Sequence, residues 1–212
     1  MGQFVDLIVI LALALNFVAL AVSRVRTLIH AVAMQGIILG LLPIVMHGLG
    51  IHEVLLSIGT VLIKGIVIPN LLFHALREVN IQREIKPLVS FITSMVLGAI
   101  GTGLAIMFSG ALPMASQHAG LLLVPASLAT VLTGFLILTT RQKAIVLVLG
   151  YLILENGIFM FGLLLLDAMP VLVEAGVLLD LFTAVFVMGI IVHHINRAFD
   201  STSTEHLTTL KE

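Results

Sequence analysis

The chain has 212 residues, 60% of them in the hydrophobic set and 10% charged, with a formal net charge of −1 and a mean hydropathy of +1.24. Soluble domains carry roughly 25% charged residues, so a water-soluble globule is excluded, and the apolar content without low-complexity tracts excludes disorder. No cysteine is present, which removes thiolate-ligated iron–sulfur clusters, zinc-thiolate sites, disulfides and thiol nucleophiles, while the near-neutral charge gives no reason to expect nucleic acid.

In chain order, apolar runs fall at Phe4–Val22, Leu28–Met46, Val54–Leu76, Leu88–Phe108, Ala119–Thr139, Ala144–Leu166 and Val171–His193. Each has 19 to 23 residues, enough to cross a hydrocarbon core of about 30 Å at about 1.5 Å per residue. The runs are twice the length of a barrel strand and lack period-two alternation, so they read as helices. The first run lacks the basic start of a signal peptide (Asp6 is acidic), and Arg24 and Arg26 follow it as a stop-transfer flank. It reads as a retained span. The expected fold is all-α: a polytopic protein of seven transmembrane helices in a lipid bilayer.

The basic residues outside the spans all fall on one side. Arg24 and Arg26 lie in the first loop, Arg77, Arg83 and Lys86 in the third, Arg141 and Lys143 in the fifth, and Arg197 and Lys211 in the tail. The positive-inside rule then puts the N-terminus outside and the C-terminus in the cytoplasm. Trp is absent and Tyr151 is the one tyrosine, so the aromatic belts of a lipid-facing surface are nearly missing, as expected if protein partners cover much of the perimeter. Gly36 and Gly40, and the group Gly98, Gly101 and Gly103, allow helices to approach closely; intrachain packing is their favoured role.

An internal repeat is suggested by an offset of 117 residues, which carries Arg24-x-Arg26 onto Arg141-x-Lys143 and Gly59 onto Gly176. The chain would then be three helices, a reversing fourth, and three again in the same topology, a 3+1+3 parallel repeat.

One basic residue remains: Lys64, in the middle of the third run. Placing it there costs about 2.5–3.5 kcal/mol on insertion scales, and ten residues of helix, about 15 Å, separate it from the nearer end. Ser57, Thr60 and Lys64 share a helix face by their spacing, and Pro69 removes a backbone hydrogen bond and frees the carbonyl of Gly65. Glu155, followed by Asn156, is central in the sixth run. Asp180 is near the centre of the seventh, with Glu174 about 9 Å outward of it. Buried carboxyls beside a lysine are the raw material of a proton relay, because burial brings their proton exchange within reach of neutral pH. The simpler alternative is a buried salt bridge from Lys64 to Glu155 or Asp180 that fixes helix register; such pairs are poor stabilisers compared with an apolar pair, which favours function. Asp6 reads as an interface residue. Asn16, Gln35 and Asn70 could extend a wet path, although interhelical hydrogen bonding suits each better.

The histidines gather at helix ends, His30, His74, His193 and His194 on the basic side and His47, His52 and His118 opposite. Haem would need facing pairs held well inside the spans, so a haem-bearing anchor has little support. His194 lies close to the face of Asp180, where it is an inner exit of a path or, more simply, a helix cap. No metal, cofactor or catalytic residue is expected.

On these residues the chain resembles a known family. Gly150–Gly157 (GYLILENG), the segment MPVLVEAGVLLDLFTAVFVMGIIVHHI with Glu174 and Asp180, the closing LTTLKE, and VLIKGIVIP around Lys64 are together similar to the membrane subunit hydrogenase-4 component E. The last three spans also resemble the small three-helix K subunit of complex I, kin to the C subunit of multisubunit cation/proton antiporters, in which two glutamates on adjacent helices contribute to proton movement. Asp180 matches the second of them. The first matches imperfectly, because Glu155 follows Gly150 by five residues where that pattern has two.

The resemblance implies a division into residues 1–86, a first three-helix unit with its cytoplasmic loop; 87–118, the reversing helix and an outer loop; 119–194, the K-subunit-like unit; and 195–212, a cytoplasmic tail. It implies a non-catalytic subunit of an oxidoreductase complex, a group 4 hydrogenase of the formate hydrogenlyase type, in a prokaryotic cytoplasmic membrane. The partners it implies are antiporter-like membrane subunits, a complex I-like membrane anchor and a peripheral iron–sulfur, hydrogenase-like arm. Lys64, Glu155, Asp180 and Glu174 would carry the proton path, with Ser57, Thr60, Asn156 and His194 in path or packing roles. The alternative is a pure scaffold joining the antiporter-like subunits to the redox module.

Overall fold

Lipid offers no partner to a backbone amide, so each apolar run must satisfy its own hydrogen bonds as a helix. A computed structural model describes residues 2–78, 85, 87–110, 122–164 and the single positions 182 and 189. Its helices are α1 (Gly2–Ala21), α2 (Val25–Gly40), α3 (Leu42–His47), α4 (Ile51–Leu62), α5 (Ile68–Glu78), α6 (Phe91–Ser109), α7 (Leu123–Thr140) and α8 (Ala144–Leu163), with a π-helical turn at Ile63–Val67 joining α4 to α5. Among the described residues six helical stretches are long and apolar enough to cross a membrane: Gly2–Ala21, Val25–His47, Ile51–Arg77, Phe91–Ser109, Leu123–Thr140 and Ala144–Leu163. The described residues are all-helical, and the chain is a multi-pass membrane protein. The seventh expected span, Val171–His193, lies outside the described residues apart from Phe182 and Gly189, as does the comparison that the internal repeat requires.

Local chemistry adjusts the expected boundaries. The second span is broken at Leu41, because Pro43 at the start of α3 has no N–H to continue the ladder. The turn that follows uses Gly48 at φ 91°, where a side chain would be strained. The fourth span begins three residues later than its apolar run, since Ser90 caps it by accepting the Thr93 N–H at 3.1 Å.

The bundle is built from two helical hairpins. α1 packs on α7, α2 packs on α8, the third span lies against α2, and α6 lies outside α1 and α7. The α7–α8 contact is closest: a Cβ on Gly134 would come within 2.5 Å of Leu154 Cβ, and one on Gly157 within 2.7 Å of the Val131 backbone nitrogen. Gly36 and Gly40 face the third span, where added Cβ atoms would meet Lys64 Cβ at 2.6 Å and Val61 Cγ2 at 2.7 Å. Their expected role in intrachain packing is observed. Of the second glycine group, Gly98 packs closely on Leu20, Gly101 has ordinary contacts and Gly103 faces open space.

The basic loops meet at one end of the bundle. Ile85 N–H donates to Ser23 O at 2.7 Å and Leu88 N–H to Thr140 O at 2.8 Å, so loops one, three and five touch. Arg141 ties them together. It is 4% exposed, donates from Nη2 to Leu20 O at 3.1 Å and lies 5.0 Å over the Phe91 ring. Burial draws its guanidinium down from its ordinary value. The sequence reading treats Arg141 as an orientation charge in a loop; the structure makes it a buried staple as well.

Among the described residues two apolar clusters fill the interior. One, toward the basic end, includes Leu20, Leu28, Val32, Ile68, Leu149 and Ile153; the other includes Val9, Ala12, Leu39, Ala126, Phe159 and Met160. Along α1, α2, α7 and α8 the transition from one cluster to the other is marked by Asn16, Gln35, Thr130 and Asn156. A polar layer therefore separates two greasy ones.

Candidate functional site

Lys64 is central to the layer. It lies midway along Ile51–Arg77, 5% exposed, on the π turn. Pro69 supplies the local cause: with no N–H at position 69, the carbonyl of Gly65 loses its α-helical donor, and the chain relaxes into a wider turn in which Ile68 N–H reaches back to Ile63 O. The glycine at 36 lets α2 approach the lysine stem. Lys64 Nζ donates to Asn156 Oδ1 at 3.0 Å and lies 5.4 Å from the centroid of the Phe159 ring, within cation–π range.

From Asn156 the hydrogen bonds continue. Its Nδ2 donates to Gln35 Oε1 at 3.2 Å. Gln35 Nε2 donates both to Asn16 Oδ1 at 2.9 Å and to the Ala12 carbonyl at 3.2 Å. Asn16 Nδ2 donates to Thr130 Oγ1 at 2.8 Å, and that hydroxyl donates to the Ala126 carbonyl at 2.7 Å. Five side chains from five helical segments form one continuous chain, none more than 5% exposed. Leaving such groups without partners in an apolar interior would cost several kcal/mol each.

The other residues singled out in the sequence lie in different settings. Ser57 and Thr60 are buried on the lysine face, and among the described residues their hydroxyl oxygens have no hydrogen-bond partner. Glu155 is 3% exposed and adjoins Asn156 in sequence, so its side chain leaves α8 about 100° away from the amide chain. Glu174, Asp180 and His194 lie outside the described residues. Asp6 behaves as an end residue: its carboxylate accepts the Leu122 N–H at 3.2 Å, at the positive start of α7. Asn70 is exposed and stands apart from the layer.

Sequence reasoning missed Thr130. Its signal is faint, because Ser127 and Thr133 on the same helix bond back to their own turns, and nothing in the spacing singles out the residue that also accepts a partner. A small cleft with room on the order of one water molecule lies beside Lys64 and Asn156, walled by Val32, Ile68, Pro69 and Leu149. It lies on the side of the layer nearer the basic loops. Among the described residues no three His, Asp or Glu side chains gather into a metal-holding group.

Comparison with known proteins gives one informative result. The chain is 31% identical over 193 residues to the uncharacterized protein Rv0085 of Mycobacterium tuberculosis, covering 88% of this chain and 86% of that one. No protein-family model matches. No solved structure matches either.

Proposed function

We propose that this chain, which belongs to one family with the mycobacterial protein Rv0085, is a non-catalytic membrane-arm subunit of a complex I-like, group 4 hydrogenase assembly, a reading carried by its sequence resemblance to hydrogenase-4 component E. In this reading it spans a prokaryotic cytoplasmic membrane seven times, with the N-terminus outside, the tail inside and the 3+1+3 repeat intact. Its buried ionisable residues join proton translocation to redox chemistry in a peripheral arm, beside antiporter-like subunits.

One observation supports the proton-path part above the others: a lysine halfway along a span, on a π turn, bonded to an amide next to a buried carboxyl. Insertion of that lysine costs about 2.5–3.5 kcal/mol, and π turns are frequent at functional sites. Lys64 and Glu155, with Asp180 and Glu174 from the seventh span, would form the path. One charge crossing the membrane is worth about 2.3 kcal/mol per 100 mV, so their protonation can be linked to redox energy. Membranes carrying Glu155→Gln with Asp180→Asn should assemble the complex and translocate fewer protons. Unchanged pumping sinks the reading. Mass spectrometry of the gently solubilised assembly tests the partners directly.

The second reading is the scaffold. It is favoured by the saturation of the amide chain from Lys64 to Ala126, since satisfied polar networks fix helix pairing. Neutral replacements would then lose the complex and not the coupling.

A further inference from the structure

The direction of the buried hydrogen-bond chain is forced at both ends. An ammonium only donates, so Asn156 must turn its oxygen to Lys64. Asn156 therefore offers its N–H to Gln35, whose oxygen must face it. At the far end, the Ala12 and Ala126 backbone carbonyls only accept, so Gln35 must turn its NH₂ toward Ala12 and the Thr130 hydroxyl must point its proton at Ala126. Reversing any one amide would set N–H against N–H or oxygen against oxygen. Every link donates away from Lys64.

We infer that Asn156, Gln35, Asn16 and Thr130 form a one-way dipole ladder that positions Lys64 as an ammonium and carries no protons itself. Each amide presents its negative end toward the cation, and aligned hydrogen bonds polarise one another. An amide has no readily transferred proton, and the ladder ends on a backbone carbonyl, which has none to pass on. Gln35, Asn16 and Thr130 are thus positioning residues acting through Asn156. The α1–α7 side of the layer is closed to proton traffic, and exchange at Lys64 takes place on the side of the cleft near Pro69. The inference rests on the proposed function only in taking Lys64 as a working cation.

Nitrogen-15 labelling of lysine in the full chain, reconstituted in lipid nanodiscs, gives a direct readout at Nζ. The Lys64 signal is identified by its loss in Lys64→Met, and its proton exchange with water is measured. Gln35→Leu cuts the ladder one link from Asn156 and should speed exchange about tenfold, the size expected for weakening a bond to a charged group. Thr130→Val is isosteric and four links from Lys64; cooperative coupling of about 10–30% per bond predicts a change of roughly twofold. Ser127→Ala removes a buried hydroxyl of the same helix that among the described residues bonds only to Val124 O, and it should change nothing. Equal effects of Thr130→Val and Ser127→Ala, or no effect of Gln35→Leu, would overturn the ladder. If Gln35→Leu does not fold, the isosteric pair decides alone. An unresponsive Nζ signal with pumping lost in the carboxylate variants refutes the ladder and leaves the proton path standing; a responsive signal with pumping intact does the reverse.

Discussion

Asn156→Leu is the most informative single perturbation of the layer. It removes the oxygen 3.0 Å from the Lys64 ammonium and the N–H that Gln35 accepts at 3.2 Å. A hydrogen bond to a charged group is worth about 1.5–3 kcal/mol net, and a neutral interhelical bond within a membrane protein averages about 0.6 kcal/mol. Together they place the variant roughly 2–4 kcal/mol below the native chain. At this chain length each kcal/mol moves the melting midpoint by about 2–4 °C, so it should melt roughly 4–16 °C lower. Lys64→Met behaves differently. It deprives Asn156 of a donor, at about 1–3 kcal/mol, but it also removes a cation whose insertion costs about 2.5–3.5 kcal/mol, so its net effect should be small. The double variant has neither the stranded amide nor the cation that needed it. Unfolding of the native chain and the three variants in one detergent closes a double-mutant cycle. The expected coupling is about 1.5–3 kcal/mol, with the double variant less damaged than the sum of the singles. Additivity within about 0.5 kcal/mol would mean that the contact carries no energy, and the reasoning that makes Asn156 the lysine's counterpart would fail.

Two further substitutions probe the packing that holds the layer in place. Gly134→Ala puts a Cβ 2.5 Å from both the side chain and backbone of Leu154, which cannot yield cheaply; overpacking of this kind costs about 1–3 kcal/mol. Gly103→Ala, facing open space on α6, should be neutral or stabilising by up to about 1 kcal/mol, and thermal unfolding of the two variants side by side checks the contrast. Arg141→Met loses the bond to Leu20 O and the stacking on Phe91, so hydrogen exchange at Ile85 and Leu88 should accelerate while the α8 core near Leu149 stays protected. Acceleration across both regions would mean that Arg141 holds the whole bundle and not its basic end.

What the sequence could reveal followed from how local each signal is. Apolar length located six spans, because a membrane helix satisfies its backbone internally and needs no partner to be recognised. The cost of a mid-span cation singled out Lys64, and Pro69 five residues later marked the place where the helix widens into a π turn. Asn16 and Gln35 were legible as polar residues suited to interhelical bonding. Their connection through Asn156 to one lysine was not, because it depends on the rotational setting of five helical segments at once. Thr130 shows the limit most plainly: it shares its helix with Ser127 and Thr133, and only the approach of Asn16 to 2.8 Å distinguishes it. Arg141 was hidden for a related reason. In sequence it is one more loop charge, and its burial arises from loops one and three closing over it.

The layer also has two chemically different halves, and their arrangement constrains any mechanism. On the α1, α2 and α7 side stand amides and a hydroxyl whose bonds run one way and end on backbone carbonyls. On α8, a residue that belongs to that chain, Asn156, is followed in reverse order by a buried carboxyl, Glu155, turned about 100° away. Amides can orient a charge but cannot carry a proton onward, whereas a carboxyl can take one up and release it. Lys64 is bonded to the amide half through Asn156. A path that uses this lysine must therefore leave it away from the amide side, where the cleft near Pro69 opens, and the two kinds of substitution should fail differently: amide variants by loosening the cation, carboxyl variants by removing a group that can take up and release a proton.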